Sequence, residues 1–141
     1  MNQTQLLLLP VIIHVLLIFV IAARMGRARV RAVRSGRVKI SDIALDGAAW
    51  PDDVKKLANN YNNQFQLPVL WYAALALLLV TGLADMASVA LSWVFVGTRL
   101  AHSWIHTGSN DVNQRFLAFA AGFACLAFLW AWFGLQLFVI G

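Results

Sequence analysis

Four long apolar stretches constrain this chain more than any other feature. They cover residues 6–23, 65–83, 86–105 and 116–140. Each is close to the 20 or so residues that a helix needs to cross about 30 Å of hydrocarbon. Only 12% of the residues are charged, against about 25% in a typical soluble domain. The sequence therefore predicts an all-α integral membrane protein, a four-helix bundle that forms a single domain over residues 1–141.

The positions of the positive charges predict the orientation of this bundle. Nine of the eleven Lys and Arg residues lie between Arg24 and Lys56, and cytoplasmic loops of membrane proteins carry such an excess. We therefore predict a cytoplasmic loop at 24–58, both termini on the non-cytoplasmic side, and an uncleaved first helix. The net charge of +5 then favours membrane lipids over nucleic acid as partners, because basic loop residues attract anionic head groups.

Ionisable side chains in the third and fourth stretches are candidates for function, since such residues cost about 2.5–3.5 kcal/mol at the centre of a span. Arg99, His102 and His106 are spaced by three and four residues, so they share one helix face. Arg115 returns to the same membrane level at the start of the fourth helix. This donor-rich wall suits a carboxylate or a thiolate. In the alternative interpretation, Arg99 snorkels to head groups, the histidines are interfacial and Arg115 is a topogenic charge.

An amide-rich segment lies between Asn59 and Pro68. On a continuous helix, Asn59, Asn63 and Gln66 share one face. Amide side chains either bind a polar ligand or hydrogen-bond neighbouring helices, and the sequence leaves both open. Counting back from Pro68 without a gap points instead to three other positions: Asn60, Tyr61 and Gln64.

Three further patterns bear on structure and metal binding. The Trp-Pro-Asp-Asp segment predicts that the second helix begins near Asp52 or Asp53. His102 and His106 have a spacing that suits zinc, but no Glu or Cys stands nearby to complete a site, so we predict no metal. His14 lies alone in the first stretch, where packing or a hydrogen bond between helices is its simplest role.

These features resemble those of the MAPEG family, the membrane-associated proteins in eicosanoid and glutathione metabolism. Family enzymes of the prostaglandin E synthase type carry an Arg, a His three residues later and a Tyr four residues further on. Another Arg starts their fourth helix. Arg99 and His102 match the first two positions, and His106 stands where the Tyr would be. Arg115 falls at the distance of the second Arg. The layout, the basic loop and the Asn-rich segment also match, which suggests a bacterial-type member in an inner membrane.

The resemblance implies a homotrimer that binds glutathione as co-substrate between subunits, near the cytoplasmic side, and acts on a small lipophilic substrate. In family enzymes the fourth-helix Arg stabilises the glutathione thiolate, so the resemblance assigns the catalytic role to Arg115. Arg99 and His102 would hold glutathione carboxylates or carbonyls, and His106 would donate a hydrogen bond. A glutathione transferase or peroxidase is the activity implied.

The second helix departs from the family pattern. It usually offers an Arg-Asn pair followed by Glu, whereas this sequence has no Arg or Glu there. Asn63 and Gln66 keep the spacing and would bind the amide backbone of glutathione, with Asn59 on the same face. The missing carboxylate favours a second hypothesis, a non-catalytic membrane protein that binds lipid or another small anion, or serves as an assembly partner. A transporter or channel is a more distant alternative.

Overall fold

The computed structural model describes residues 1–140, which contain helices and turns but no strand. The helices are α1 (Gln3–Arg34), α2 (Asp52–Asn63), α3 (Leu67–Val80), α4 (Met86–Thr107) and α5 (Val112–Leu135). A 3-10 turn covers Ile40–Ile43, and a π-helical turn over Gln136–Ile140 extends α5. Because α2 and α3 together form one interrupted rod, the bundle has four members. The predicted all-α four-helix bundle is confirmed.

Three helical segments are long and apolar enough to cross a membrane: Gln3–Arg34, Asp52–Val80 and Val112–Ile140. α4 is less apolar because its buried face is polar. That face carries Ser88, Ser92, Arg99, His102, Ser103 and His106. The 22 residues of α4 span about 33 Å at 1.5 Å per residue, and we propose that α4 crosses the bilayer with the other three. The four span boundaries and the side on which each terminus lies stay predictions.

Local sequence signals explain where the helices begin. Three helices start at side-chain caps that accept the backbone N–H three residues later at 2.8 Å: Asn2 for α1, Asp85 for α4 and Asp111 for α5. Such caps pair one of the orphan amides of a helix start. α2 begins at Asp52, directly after Pro51, at a position that the sequence predicted.

Pro68 separates α2 from α3. Proline lacks the N–H that would bond the carbonyl four residues back, and it disfavours helical geometry in the residue before it. The chain accordingly leaves the helix over residues 64–66 and resumes at Leu67. Gln64 continues the inward face of α2 one turn after Asn60 and is 1% exposed, while Phe65 and Gln66 face outward.

The apolar core lies between α1, α3, α4 and α5. Trp71 and Phe95 are fully buried, with ring centroids 5.0 Å apart. By contrast, large apolar side chains such as Val80, Phe128 and Phe138 are 69–85% exposed. An outer surface this apolar suits lipid as the surrounding solvent.

Candidate functional site

A cleft of about 260 Å³ opens between α2, α4 and α5. It lies at the end of the bundle that carries the α4–α5 turn. Its walls are formed by Asn63, His102, His106, Val112, Arg115, Phe116 and Phe119. The structure thus brings together four of the side chains that the sequence proposed for the site, which lie on three different helices.

The two histidines of the cleft have unused hydrogen-bonding groups. His102 is 5% exposed and His106 is 4% exposed, and their ring centroids lie 5.8 Å apart. Among residues 1–140, neither ring nitrogen of His102 has a hydrogen-bond partner, and nor does Nδ1 of His106. Buried polar atoms in native proteins are nearly always paired with protein, water or ligand. These three nitrogens are buried in the wall of the cleft, and pairing them would take water or a polar ligand that reaches the two rings.

Arg115 lies at the mouth of this cleft and fixes the proton position on His106. Its Nη1 donates to Oδ1 of Asn110 at 2.7 Å and lies 3.4 Å from Nε2 of His106. A guanidinium has only donors, so Nε2 of His106 is the acceptor in this pair. The neutral ring then carries its proton on Nδ1, the atom without a partner. That His106 donates a hydrogen bond to a ligand stays a prediction.

Arg99 lies one turn deeper on the same face of α4 and does not line the cleft. Its side chain is 1% exposed, and its guanidinium carbon lies 5.5 Å from the Phe95 ring centroid and 5.8 Å from that of Phe119. Nη2 is 3.4 Å from the Ala118 carbonyl oxygen, and Nε has no partner in the described chain. Neither of the salt bridges found within residues 1–140 involves Arg99.

Gly122 on α5 makes room for this arginine. A Cβ at position 122 would stand 2.6 Å from Nη2 of Arg99 and 2.8 Å from Oγ1 of Thr98. Any larger residue would therefore push the guanidinium out of its place between the two rings. Arg99 has no carboxylate partner among residues 1–140, so its charge adds positive potential behind the cleft. A buried cation without such a partner is costly. Phe119 contacts Arg99 and also lines the cleft.

Asn59 and Gln66 lie outside the cleft. Both are exposed, and the break at Pro68 separates the helix that carries Asn59 from the turn that carries Gln66. Asn63 does line the cleft, and its Nδ2 donates to the Asn59 backbone oxygen at 2.8 Å. This leaves the Asn63 side-chain oxygen as an acceptor at the cleft wall. A ligand-binding role for Asn59 and Gln66 stays a prediction.

The sequence interpretation did not foresee a second polar cluster, which contacts α4 at Ser103. Nε2 of His14 lies 3.0 Å from Oε1 of Gln64, and Nε2 of Gln64 donates to Oδ1 of Asn60 at 3.1 Å. Nδ2 of Asn60 donates to Oγ of Ser103 at 2.9 Å, and Nδ1 of His14 contacts the Tyr72 hydroxyl at 2.5 Å. We call these five residues the buried network. Asn60 and Gln64 are the positions reached by counting back from Pro68, so the proline register was the signal.

The buried network is polarised in one direction. Because the Gln64 amide nitrogen donates to Asn60, its oxygen accepts from Nε2 of His14. Nδ1 of His14 is then an acceptor, and the Tyr72 hydroxyl donates to it. His14 therefore joins α1 to the end of α2 and to α3, in keeping with the predicted hydrogen bond between helices.

One of three comparisons with known proteins returned a match. Neither the search of curated proteins nor the search of solved structures returned a significant match. The family model that matches is described as "MAPEG family" and covers residues 7–135. The match includes all four members of the bundle and every residue of the cleft, and it confirms the resemblance drawn from the sequence. The chain is thus a membrane protein that belongs to the MAPEG family.

Proposed function

We propose that this protein is a membrane-bound glutathione transferase or peroxidase that acts on small lipophilic electrophiles. The observation that carries the proposal is the cleft itself, in which three unpaired imidazole nitrogens lie beside Arg115. Membership in a family of glutathione and eicosanoid metabolism makes glutathione the natural ligand for such donors. The cleft opens outward from one subunit, so a neighbouring copy in a homotrimer would complete it.

Each side chain of the cleft has a part in this proposal. Arg115 stabilises the glutathione thiolate, because a free thiol with a pKa of about 8.5 is mostly protonated at neutral pH and a nearby cation favours the anion. Nδ1–H of His106 donates a hydrogen bond to the sulfur or a carbonyl. His102, with Arg99 behind it, holds a glutathione carboxylate. The side-chain oxygen of Asn63 accepts from the amino group, in place of the carboxylate that this chain lacks.

The transferase step then needs no group beyond the two substrates. The thiolate attacks an electrophilic carbon, a carbon–sulfur bond forms, and the leaving group departs with the bonding electron pair. The thiol proton goes to bulk water. Since the apolar walls include Phe116 and Phe119, the electrophile can approach from the lipid side.

The test uses the purified protein with glutathione and chlorodinitrobenzene. The wild type should turn over and should show thiolate absorbance on addition of glutathione. Arg115→Ala should lower turnover by about a hundredfold or more, as the loss of one charge-stabilising donor does in other enzymes, and should reduce the thiolate signal. Arg31→Ala removes an exposed arginine of α1 and serves as the matched control. Equal activity in the two variants, or no turnover by the wild type, would contradict the proposal.

The second candidate function is non-catalytic binding of a lipid or another small anion, or a role as an assembly partner. It is favoured by the absence of any carboxylate from the cleft walls and by the uncompensated charge of Arg99. Thermal-shift titrations separate the two candidates. Stabilisation by anionic lipid but not by glutathione, unchanged in Arg115→Ala, would favour this second function.

A further inference from the structure

A groove of about 520 Å³ runs along the outer surface between α1 and α4. Its walls are mainly apolar, with Leu17, Val20 and Ile21 on α1 facing Leu100 and Ala101 on α4. These α1 residues lie within the most apolar part of the chain. The distance from Leu17 to Arg24 along α1 is about 10 Å at 1.5 Å per residue. The groove therefore suits a stretch of a single hydrocarbon chain.

A polar cleft of about 490 Å³ continues this groove. The two cavities are contiguous, because Arg24 and Thr107 line both of them. The polar cleft adds Lys56 and Asn110, together with two aspartates at the start of α2. It shares no residue with the cleft around His102. One elongated site thus has an apolar part and a polar part.

The polar part is lined by two cations and two carboxylates, and each carboxylate also has a cation outside the cleft. The Asp53 carboxylate is bonded to Arg37 by two contacts of 2.6 and 3.1 Å, and Asp52 lies 3.8 Å from Lys55. Neither of these cations lines the cleft. With these two outside cations counted, four cations surround two carboxylates, a local excess of two positive charges.

Both cations have free donors. Lys56 uses one of its three N–H groups on the Gly108 carbonyl oxygen at 2.9 Å. Arg24 makes no hydrogen bond or salt bridge to residues 1–140. Guanidinium and ammonium groups at a membrane surface bind phosphate oxygens well, the guanidinium often with two bonds.

The site also lies at the right level for a lipid. Arg24 is the first charged residue after the apolar part of α1, so it marks the edge of the hydrocarbon. Trp104 is 80% exposed and lines the groove on α4, and tryptophan is enriched at the membrane interface. A bound lipid would keep its head group beside Arg24 and its chain beside Leu17.

We propose that the α1–α4 groove and the polar cleft together bind one phospholipid per subunit. The phosphate contacts Arg24 and Lys56, and one acyl chain fills the groove between Ile21 and Ala101. This site is separate from the proposed glutathione cleft and does not depend on its activity.

The test is native mass spectrometry of the delipidated protein in its intact assembly, titrated with phosphatidic acid or with diacylglycerol of the same chains. Phosphatidic acid should bind at least tenfold more tightly, and Arg24→Gln should remove most of that preference, because a hydrogen bond to a charged group is worth about a factor of ten. Arg27→Gln makes the same charge change on α1 outside the site and should bind like the wild type. Inorganic phosphate should not compete.

A second variant tests the apolar part. Ala101 is exposed, so Ala101→Trp blocks the groove without disturbing the core and should lower lipid binding by at least tenfold. Ala90→Trp adds the same side chain to an exposed position of α4 outside the groove and should have no effect. Binding that survives Ala101→Trp, or is equal for diacylglycerol, would overturn the proposal. So would a loss of subunits caused by Ala101→Trp alone, since the groove would then be a subunit contact.

Discussion

The buried network and the cleft both include residues of α4, but they use their polar groups in opposite ways. Ser103 belongs to the network and His102, its neighbour in sequence, belongs to the cleft. No side-chain nitrogen or oxygen of the network is left buried without a partner. In the cleft, both nitrogens of His102 and one of His106 are without one in the described chain.

The difference separates structural polar residues from candidate ligand-binding residues. A fully paired network joins helices and gives a unique packing. A buried group without a partner costs free energy that only a ligand or water recovers. Both histidine types would look alike in a sequence, since each is a polar residue within an apolar stretch. Their partners, and not their burial, distinguish His14 from His102.

The largest expected effect comes from His14→Phe compared with His102→Phe. His14→Phe leaves Oε1 of Gln64 and the Tyr72 hydroxyl without their partner, so the free energy of unfolding should fall by about 1–3 kcal/mol. His102→Phe removes two unpaired nitrogens and should leave stability within about 1 kcal/mol of the wild type, or raise it, while ligand binding is lost. Thermal unfolding with and without glutathione measures both effects. Similar losses of stability in the two variants would break the comparison.

A smaller effect is expected from two asparagines on α2. Asn60→Leu removes the link between Gln64 and Ser103 and should lower the free energy of unfolding by about 1–2 kcal/mol. Asn63→Leu removes only a bond to the α2 backbone and should cost less than about 0.5 kcal/mol, but it should weaken glutathione binding. The same chemical change is made at two positions of α2 three residues apart, so the two variants are matched in side-chain type. A larger loss of stability in Asn63→Leu would argue against this assignment of the two faces.

The smallest effect concerns an exposed polar contact, the ion pair of Arg37 and Asp53. The hydrogen bond from Arg37 lowers the pKa of the Asp53 carboxyl below its usual value. A lowered pKa in the folded state gives stability that is present above about pH 4 and is lost as the pH falls through the lowered value.

Asp53→Asn should therefore lower the melting temperature slightly at neutral pH, and the difference from the wild type should shrink in acid. The effect should be much smaller than that of His14→Phe, because water screens an exposed pair. Asp42→Asn removes another loop carboxylate, one that forms no salt bridge within residues 1–140, and is the control; it should leave the melting temperature at neutral pH close to that of the wild type. A difference that grows in acid would contradict the sign of the lowered pKa.

The amide-rich segment shows how far the sequence could predict the site. The shared face of Asn59, Asn63 and Gln66 assumed a continuous helix, but α2 ends at Asn63 and Pro68 interrupts the rod. The break removes Gln66 from the face of α2. Asn59 lies on the same unbroken helix as Asn63, but it is exposed and outside the cleft. Counting from Pro68 indicated Asn60 and Gln64, which the structure places inside the bundle. The amide-rich segment indicated the right region, but its sequence did not distinguish between the two helical registers.

By itself, the sequence determined the helices, the membrane class, the family and the shared stripe of His102 and His106, because periodicity and hydropathy act within one helix. Only the tertiary structure decided that Arg115 meets His106 and that Arg99 lies deeper, beside Phe119. It also decided that His14 closes a network with Gln64. These contacts depend on which helix faces pack together and on the break at Pro68, and neither follows from the spacing of residues along one chain.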